Sequence, residues 1–376
     1  MYYKKFKDIE LSALGFGALR FAMDKDEPNK IDREKSLPLV DAAYQKGINF
    51  FDTAYIYQNG DSERLLGEAL SKYPRNSYYL STKFYAPAGV PIEQAFEQQL
   101  QRCRTDYFDF YLFHGMDESF IDLYMNQELL DFLLQKKAEG RIKYIGFSSH
   151  AAPATLKRFL EWYDGFDMAI IQLNYLDWKM LDAKGQYEIL TEHHIPIWVM
   201  EPLKGGRLAE LNEEAAAFLR AAAPERSVAS WGMRFLQGLP NVQVVMSGMS
   251  AMEQIEDNAA TFDHPDPLTE EEKKTLIQAC DIYHKDLGVP CSACRYCVPH
   301  CPMELDIPLL IKGLNEWNID KALWKIAELT IAKEPKNCIG CGACAAHCPQ
   351  KIDIPGALSQ FADIIEKNGI DLTKIS

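Results

Sequence analysis

Two short cysteine runs near the C-terminus carry the clearest chemistry in this 376-residue sequence. The first reads CSACRYCVPHCP over residues 291–302, and the second reads CIGCGACAAHCP over residues 338–349. Both follow the pattern of three cysteines at two-residue gaps and a fourth cysteine before proline, and each is followed by Asp-Ile-Pro, so they form a repeat of 47 residues. Three such thiolates hold three corners of an iron–sulfur cubane, and the fourth cysteine ligates the other run's cluster. The spacing therefore predicts two [4Fe–4S] clusters.

This crossed arrangement assigns a different set of cysteines to each cluster. Cluster 1 takes Cys291, Cys294, Cys297 and Cys348, and cluster 2 takes Cys338, Cys341, Cys344 and Cys301. Tetrahedral zinc is the alternative for paired cysteines, but two complete copies of the cluster pattern favour iron and sulfide. The small residues Gly340, Gly342 and Ala343 would let backbone amides approach the sulfurs and raise the reduction potential of the cluster.

A second set of polar residues lies in the first third of the chain. Its members are Asp52, Tyr57, Lys83 and His114. A tyrosine hydroxyl that protonates a carbonyl oxygen needs a pKa below its usual value of about 10, and a lysine ammonium beside it would lower that pKa. Asp52 would hold the lysine, and His114 would orient the substrate oxygen. Each residue alone is unremarkable at a strand end, but the combination favours acid catalysis on a carbonyl.

The elements that carry this set alternate regularly between strand and helix patterns. Strand-like runs occur at 11–17, 48–52, 78–84, 108–114, 144–150, 168–175, 195–201 and 242–248, and helical patterns at 34–47, 62–73, 91–103 and 126–140. Such alternation predicts a parallel sheet with both faces covered, and eight units predict a (β/α)8 TIM barrel. The alternative is a doubly wound open sheet, which normally carries GxGxxG where this chain has GFGALR. The opening residues YYKKFKDIELSALG predict a hairpin across the bottom of the barrel.

The barrel pattern stops near residues 263–270, which read DHPDPLTE. Thr269 with Glu272 then offers a helix-capping sequence. We therefore predict an α/β barrel domain over residues 1–270 and an all-α domain over residues 271–376, in which each Asp-Ile-Pro starts a helix. Active sites of such barrels lie at the C-terminal ends of the strands, where the polar set falls.

Residues 10–260 resemble the aldo-keto reductase family. The segment INFFDTAYIYQNGDSERLLGEAL, residues 48–70, is similar to the family's signature, and STKF and YLFH supply Lys83 and His114. The resemblance implies NAD(P)H-dependent reduction of a small carbonyl, or oxidation of an alcohol in reverse. It makes Tyr57 the general acid, with Lys83 and Asp52 tuning it and His114 orienting the substrate.

The same resemblance implies a set of cofactor contacts. It assigns Ser148, Ser149 and Gln172 to the nicotinamide amide, Glu201, Pro202, Leu203, Gly205 and Gly206 to the diphosphate, and Ser247, Gly248, Gln254 and Asn258 to the adenosine. Met200 stands where an aromatic that stacks on the nicotinamide is frequent, and residues 247–258 contain no Arg or Lys. Because a 2′-phosphate favours a cationic partner, the sequence favours NADH, or use of both cofactors, over strict use of NADPH.

Residues 285–376 resemble two-cluster ferredoxin domains. The stretch between the two runs, residues 308–335, has a long helical pattern and is most similar to the helical dicluster domain of succinate dehydrogenase iron–sulfur subunits. That likeness implies electron transfer to a one-electron redox partner protein. Because nicotinamide transfers a hydride, a flavin ordinarily converts between the two. The loops after strands seven and eight are compatible with a flavin phosphate, but no flavin motif supports one.

Composition and charge exclude several classes of partner. The formal net charge of −14 argues against nucleic acid and anionic membrane surfaces. No apolar stretch approaches the roughly 20 residues of a membrane span, and no signal-peptide pattern is found, so we expect a cytoplasmic location. The remaining cysteines, Cys103 and Cys280, are expected to be ordinary, mostly buried thiols.

Three functions remain open at this point. The first is a carbonyl reductase or alcohol dehydrogenase coupled to electron transfer through the clusters. The second is an electron-transfer protein whose barrel serves as a docking module, although the intact polar set argues against it. The third is a plain reductase whose clusters are structural or sense oxygen.

Overall fold

The computed structural model divides the chain into two compact units. One contains Met1–Leu211 with Arg220–Lys274, and the other contains Asn212–Leu219 with Thr275–Ser376. The structure describes all residues except 28–29, 118–119, 152, 181–182, 287, 292–294, 322, 324–328, 330–331 and 376.

The first unit opens with an antiparallel hairpin of β1 (Tyr3–Phe6) and β2 (Ile9–Ser12). The ring of Phe6 contacts the rings of Tyr144 and Trp198 edge to face, with centroids 5.1 and 5.0 Å apart. Both partners lie toward the N-terminal ends of barrel strands, so the hairpin closes that end of the barrel. The predicted hairpin is confirmed.

Eight parallel strands form the closed barrel itself. They are β3 (Leu14–Gly17), β4 (Phe50–Asp52), β5 (Tyr79–Phe84), β6 (Phe108–Met116), β7 (Ile142–Ser149), β8 (Met168–Gln172), β9 (Ile197–Met200) and β10 (Val242–Ser247). They pair in sequence order, and β10 closes the ring by pairing with β3. The predicted (β/α)8 TIM barrel is confirmed, and the open-sheet alternative is wrong.

Helices follow the barrel strands along the chain, and the last two of them come after the final strand, β10. In chain order they are α1 (Arg33–Gln45), α2 (Asp61–Leu70), α3 (Ile92–Cys103), α4 (Ile121–Tyr124), α5 (Gln127–Ala138), α6 (Pro153–Trp162), α7 (Asp177–Met180), α8 (Ala183–Glu192), α9 (Glu213–Ala222), α10 (Val228–Gln237), α11 (Met252–Thr261) and α12 (Glu270–Asp286). The barrel's main core lies between strands and helices and includes Phe51, Phe96 and Phe147. Burying each such side chain contributes about 1.5–3 kcal/mol.

Helix α12 begins with the capping sequence read from the chain. The backbone N–H of Glu272 donates to Thr269 Oγ1 at 3.3 Å, and the backbone N–H of Thr269 donates to Glu272 Oε2 at 2.8 Å. The helix then runs through to Asp286, and the division between the compact units falls inside it. The domain boundary at residue 270 therefore stays a prediction.

The second unit contains a pair of equivalent helices. They are α13 (Ile307–Asp320) and α15 (Ile354–Lys367), with the short α14 (Ala343–Ala346) before α15. Asp306 caps α13 by accepting from the Leu309 N–H at 3.3 Å, and Asp353 caps α15 by accepting from the Gly356 N–H at 3.1 Å. The apolar faces of both helices pack together around Leu310, Leu314 and Phe361. Each Asp-Ile-Pro starts a helix as predicted. None of the described helices is long and apolar enough to cross a membrane.

Candidate active site and cluster sites

A buried ion pair lies at the C-terminal ends of β4 and β5. Asp52 is the last residue of β4, and Lys83 lies in β5, 31 positions later. Lys83 Nζ donates to Asp52 Oδ2 at 2.5 Å and to the carbonyl oxygen of Thr53 at 2.6 Å. Ser81 Oγ donates to the other carboxylate oxygen of Asp52 at 2.8 Å. With 2 % and 6 % of their side chains exposed, Lys83 and Asp52 form a fixed charge pair.

Tyr57 lies over this pair. The Lys83 Nζ atom is 5.1 Å from the centre of the Tyr57 ring. The turn after Tyr57 bends sharply, because Gln58 and Asn59 adopt left-handed conformations with φ of 44° and 53°. The structure thus brings the predicted hydroxyl, ammonium and carboxylate together.

His114 completes the predicted set from the neighbouring strand. Its ring meets the ring of Tyr57 edge to face, with centroids 5.5 Å apart. The pairing of β6 with β7 is irregular between Phe113 and Met116, and Gly115 has a φ of +70°. Irregularities of this kind re-aim side chains at the rims of barrels. The Nδ1 atom of His114 is buried and has no hydrogen-bond partner in the part of the chain that the structure describes.

The electrostatics of the set differ from the sequence expectation in one respect. Burial raises the pKa of Tyr57 above its usual value, and the Lys83 ammonium only partly opposes that rise. The predicted net lowering of the Tyr57 pKa is therefore wrong, because desolvation of the hydroxyl outweighs the neighbouring cation. Tyr57 carries its proton at neutral pH, as an acid must.

The two neighbours of Tyr57 have defined charge states. Burial alone would lower the pKa of Lys83, but Asp52 and Tyr57 raise it above the ordinary lysine value, so Lys83 stays cationic. Burial, with the Lys83 cation as a smaller cause, holds the pKa of His114 well below its usual value. His114 is therefore neutral at physiological pH.

A buried polar network behind the set was not anticipated from the sequence. Glu63 of α2 is fully buried and accepts from Thr82 Oγ1 at 2.7 Å, Gln99 Nε2 at 2.7 Å and Arg102 Nη1 at 3.0 Å. Gln99 also donates to the Lys83 carbonyl at 3.1 Å, and Arg102 donates to the Tyr55 carbonyl at 3.3 Å. The network therefore ties β5 to the turn that carries Tyr57. The sequence signal for this network was the presence of three polar residues, Glu63, Gln99 and Arg102, on the inner faces of helical patterns.

A cavity of about 250 Å³ extends from Tyr57 to the loops after β9 and β10. All nine residues assigned to the diphosphate and adenosine line it: Glu201, Pro202, Leu203, Gly205, Gly206, Ser247, Gly248, Gln254 and Asn258. Met200, Arg20 and Asp257 line it as well, and Arg20 Nη2 pairs with Glu201 Oε1 at 2.9 Å. The structure therefore gathers both loop segments around one cavity that ends at Tyr57.

The three residues assigned to the nicotinamide amide are bonded within the protein. Ser148 Oγ accepts from the Gly115 N–H at 2.8 Å, and Ser149 Oγ accepts from the Ala151 N–H at 3.0 Å. Gln172 donates to Asp177 Oδ2 at 2.8 Å. None of the three is among the described residues that line the cavity, so their contact with a cofactor stays a prediction.

Asp177 organises the loop after β9. Its fully buried carboxylate also accepts from Asn174 Nδ2 at 2.7 Å and from Lys204 Nζ at 2.6 Å. Glu201 and Lys204 both adopt left-handed conformations, with φ of 54° and 48°, and such backbone persists only where surrounding contacts hold it. Asp177 was not singled out from the sequence, because its ion-pair partner, Lys204, lies 27 positions away.

The cysteines of the second unit gather around two openings. Cys301, Cys338, Cys341 and Cys344 line one, and Cys291, Cys297 and Cys348 line the other. Cys294 lies outside the described residues. Each opening thus takes its fourth-position cysteine from the opposite run, as the crossed assignment requires. Within the described ranges, no three Cys, His, Asp or Glu side chains converge closely enough to hold a single metal ion.

The two runs contact each other through a pair of equivalent histidines. His300 and His347 each directly precede the fourth cysteine of their run, and their rings stack 3.4 Å apart at an interplanar angle of 8°. The two histidines occupy the same position in the two repeats, so the runs touch each other through equivalent residues. Because histidine occupies the same position in both runs, the sequence could have indicated this contact.

An eight-stranded parallel barrel with this polar set, joined to a cysteine-rich helical unit, defines an oxidoreductase class. The sequence model of the "Aldo/keto reductase family" matches residues 13–281, and that of the "4Fe-4S dicluster domain" matches residues 290–352. The chain belongs to the aldo/keto reductase family and carries a C-terminal dicluster domain.

Similar proteins support the barrel assignment. An uncharacterized oxidoreductase of Bacillus subtilis is 26% identical over 305 residues, which is 72% of this chain and 92% of that protein. An NADH-specific methylglyoxal reductase of Escherichia coli is 28% identical over 228 residues, 54% of this chain and 66% of that protein. The holo structure of an aldo-keto reductase from Bacillus halodurans has a TM-score of 0.62 and 26% identity, and the match covers 74% of this chain and 96% of that one.

Proposed function

We propose that this protein reduces a small carbonyl compound, or oxidises the corresponding alcohol, using a nicotinamide cofactor, and that two [4Fe–4S] clusters in the same chain transfer single electrons. The convergence of Lys83 and His114 on Asp52 and Tyr57, which line the cavity, carries the first part of this proposal. The crossed placement of the cysteines supports the second part.

The residues divide the acid chemistry among themselves. When bound, the cofactor supplies the hydride that adds to the carbonyl carbon. Tyr57 gives its hydroxyl proton to the carbonyl oxygen, and Lys83, which Asp52 fixes in place, stabilises the tyrosinate that remains. The unpartnered Nδ1 of neutral His114 offers a hydrogen bond that orients the substrate.

The charges around the cavity favour NADH over NADPH. Among the described residues that line it, the single Lys or Arg is Arg20, which is already paired with Glu201, and the acids are Asp52, Glu201 and Asp257. Lys204 of the diphosphate loop is bound to Asp177 instead. A 2′-phosphate would therefore meet carboxylates rather than a cation.

The catalytic proposal is tested by Tyr57→Phe in the full chain, with methylglyoxal and other small aldehydes as probe substrates. Removing the proton donor should lower kcat by about 10²–10⁴-fold and leave NADH binding, followed by fluorescence, unchanged. Tyr55→Phe is the matched control, because its hydroxyl bonds to Gln98 at 2.9 Å instead of the ion pair. Equal turnover of Tyr57→Phe and the wild type would overturn the assignment.

The electron-transfer proposal is tested on protein purified without oxygen. NADH alone, NADPH alone and dithionite are added in separate titrations while the cluster absorbance is recorded. Bleaching by a nicotinamide cofactor would show that the barrel and the clusters exchange electrons. Bleaching by dithionite alone would favour clusters that are structural or that serve another protein.

A further inference from the structure

The two cluster openings are built from equivalent residues. Adding 47 to a residue number in the first repeat gives its counterpart in the second. The apolar linings match in this way: Pro308 with Pro355, Ile311 with Leu358, Leu305 with Ile352, and Ile307 with Ile354. The described apolar surroundings of the two sites are therefore nearly the same, so the lining positions that differ in polarity can set the two sites apart.

Among the residues that the structure describes in both repeats, two lining positions differ in polarity. Arg295 lines the opening of cluster 1, and its counterpart at the opening of cluster 2 is Gly342. Gln350 lines the first opening where Met303 lines the second. Both differences make the surroundings of cluster 1 the more polar, and one of them adds a full positive charge.

The backbone follows the same path in both repeats. Arg295 has a φ of +66° and Gly342 a φ of +73°, and the next pair of counterparts, Glu304 and Lys351, have φ of +53° and +51°. The left-handed region is natural for glycine but unfavourable for arginine. Both repeats thus present their backbone N–H groups alike at this turn. The effect of backbone amides on the reduction potential, expected at Gly342, therefore applies to both sites. The side chain of Arg295 is what distinguishes the two sites at this position.

The arginine is held beside its cluster site. Its Nη2 atom pairs with Asp306 Oδ2 at 3.0 Å, and Asp306 is itself fixed as the cap of α13. Reduction of a [4Fe–4S] cluster adds one electron, so a nearby cation stabilises the reduced form and raises the reduction potential. Asp306 and solvent weaken this effect, because 58% of the arginine side chain is exposed, and salt screens it.

We propose that Arg295 makes the two clusters unequal by raising the reduction potential of cluster 1, so that the first electron to enter the domain rests there. This inference depends on the proposed presence of both clusters. It gives electron flow within the domain a direction, from cluster 2 to cluster 1, although the described apolar linings of the two sites are nearly the same.

The test is a redox titration of the full chain under anaerobic conditions, followed by electron paramagnetic resonance. The wild type should show two midpoint potentials. Arg295→Gly, which copies the other repeat, should lower the higher midpoint and leave the lower one in place, and the shift should shrink at high ionic strength. Arg295→Lys should keep most of the separation, because it keeps the charge. Unchanged midpoints in Arg295→Gly, or a shift of the lower one, would overturn the proposal.

Gly342→Arg is the reciprocal variant. It should raise the lower midpoint and bring the two together, because Arg295 shows that this turn accepts arginine. If Arg295→Gly loses iron, Gly342→Arg decides the question. A rise of the lower midpoint potential supports the inference, and an unchanged lower midpoint refutes it. Iron and sulfide are measured first in the wild type. Fewer than about eight iron atoms per chain would refute the two-cluster proposal, whereas full iron with no shift would refute only the role of Arg295.

Discussion

The barrel site and the cluster sites are built in opposite ways. The barrel gathers an aspartate, a lysine and a histidine from three strands and a tyrosine from the turn after β4. Long-range contacts hold these side chains before any ligand binds. The predicted cluster sites use one residue type at close spacing, repeated once, and the fourth cysteine of each run lines the opening of the other run. The first site is therefore a product of the fold, whereas the second is a product of local spacing.

This difference bears on stability. The core of the second unit includes Cys297 and Cys344 among its buried residues, and several other cysteines pack against it. Where ligands are part of a small core, the free energy of binding the metal contributes directly to folding. The barrel's core contains no part of the predicted cluster sites, so the comparison implies that cluster loss unfolds one unit and spares the other's chemistry.

The largest expected effect comes from removing residues 338–376. Crossed ligation predicts that this truncation destroys both clusters, because cluster 1 loses Cys348 while cluster 2 loses three ligands. Iron content should fall from about eight atoms per chain to nearly zero. Iron and sulfide analysis measures this, and NADH binding reports whether the barrel is intact. Retention of about four iron atoms would show that each run holds its own cluster.

The next effect concerns the ion pair of the barrel. Lys83→Met leaves the Asp52 carboxylate buried without its partner, and such losses cost about 3–5 kcal/mol of unfolding free energy. Replacing both residues, as Asp52→Asn with Lys83→Met, should recover most of that stability without recovering activity. Chemical unfolding and steady-state kinetics measure the two outcomes. If the double variant is as unstable as the single one, burial of an unpaired charge is not the cause.

Local patterns in the sequence predicted the parts of the molecule that depend on local spacing. The barrel strands, the helix caps at Thr269, Asp306 and Asp353, and the crossed cysteine sets follow from periodicity or fixed intervals. The structure places the strands and the three caps within a few residues of the expected positions, whereas the crossed ligation by the cysteines stays a prediction.

What the sequence could not supply depends on packing between distant residues. The partners of Glu63 lie 19, 36 and 39 positions away, and no pattern in the chain pairs them. The direction of the Tyr57 pKa shift failed for the same reason, because desolvation depends on everything that surrounds the hydroxyl. The unequal pair Arg295 and Gly342 was visible in the aligned repeats, but its meaning required the matching backbone angles.

A smaller effect should appear in the pH dependence of stability. The pKa of His114 lies well below its usual value in the folded barrel, so below about pH 6.5 the unfolded chain binds a proton that the folded chain does not. Stability should therefore fall as the pH drops below 6.5, by up to about 1.4 kcal/mol per pH unit from this residue. In His114→Gln this residue's contribution to the change of unfolding free energy with pH should vanish. Unfolding free energies at pH 7.0 and 5.5 measure it, and equal slopes in both proteins would contradict the neutral buried histidine.

The smallest expected effect is on cofactor affinity, when an arginine is introduced into the barrel cavity. Gln254 lines the cavity, and its Oε1 accepts from the Ser250 N–H at 2.8 Å. Gln254→Arg would put a cation beside a charged ligand, as we propose for Arg295 in the second unit. The new cation should tighten NADPH binding about tenfold, equivalent to about 1.4 kcal/mol, because it can pair with the 2′-phosphate. NADH affinity should change little, since NADH lacks that group. Fluorescence titrations of both cofactors measure the ratio, and Gln254→Met serves as the uncharged control. Equal tightening of NADH and NADPH would show that the arginine acts on the diphosphate, and the 2′-position would then lie elsewhere along the cavity.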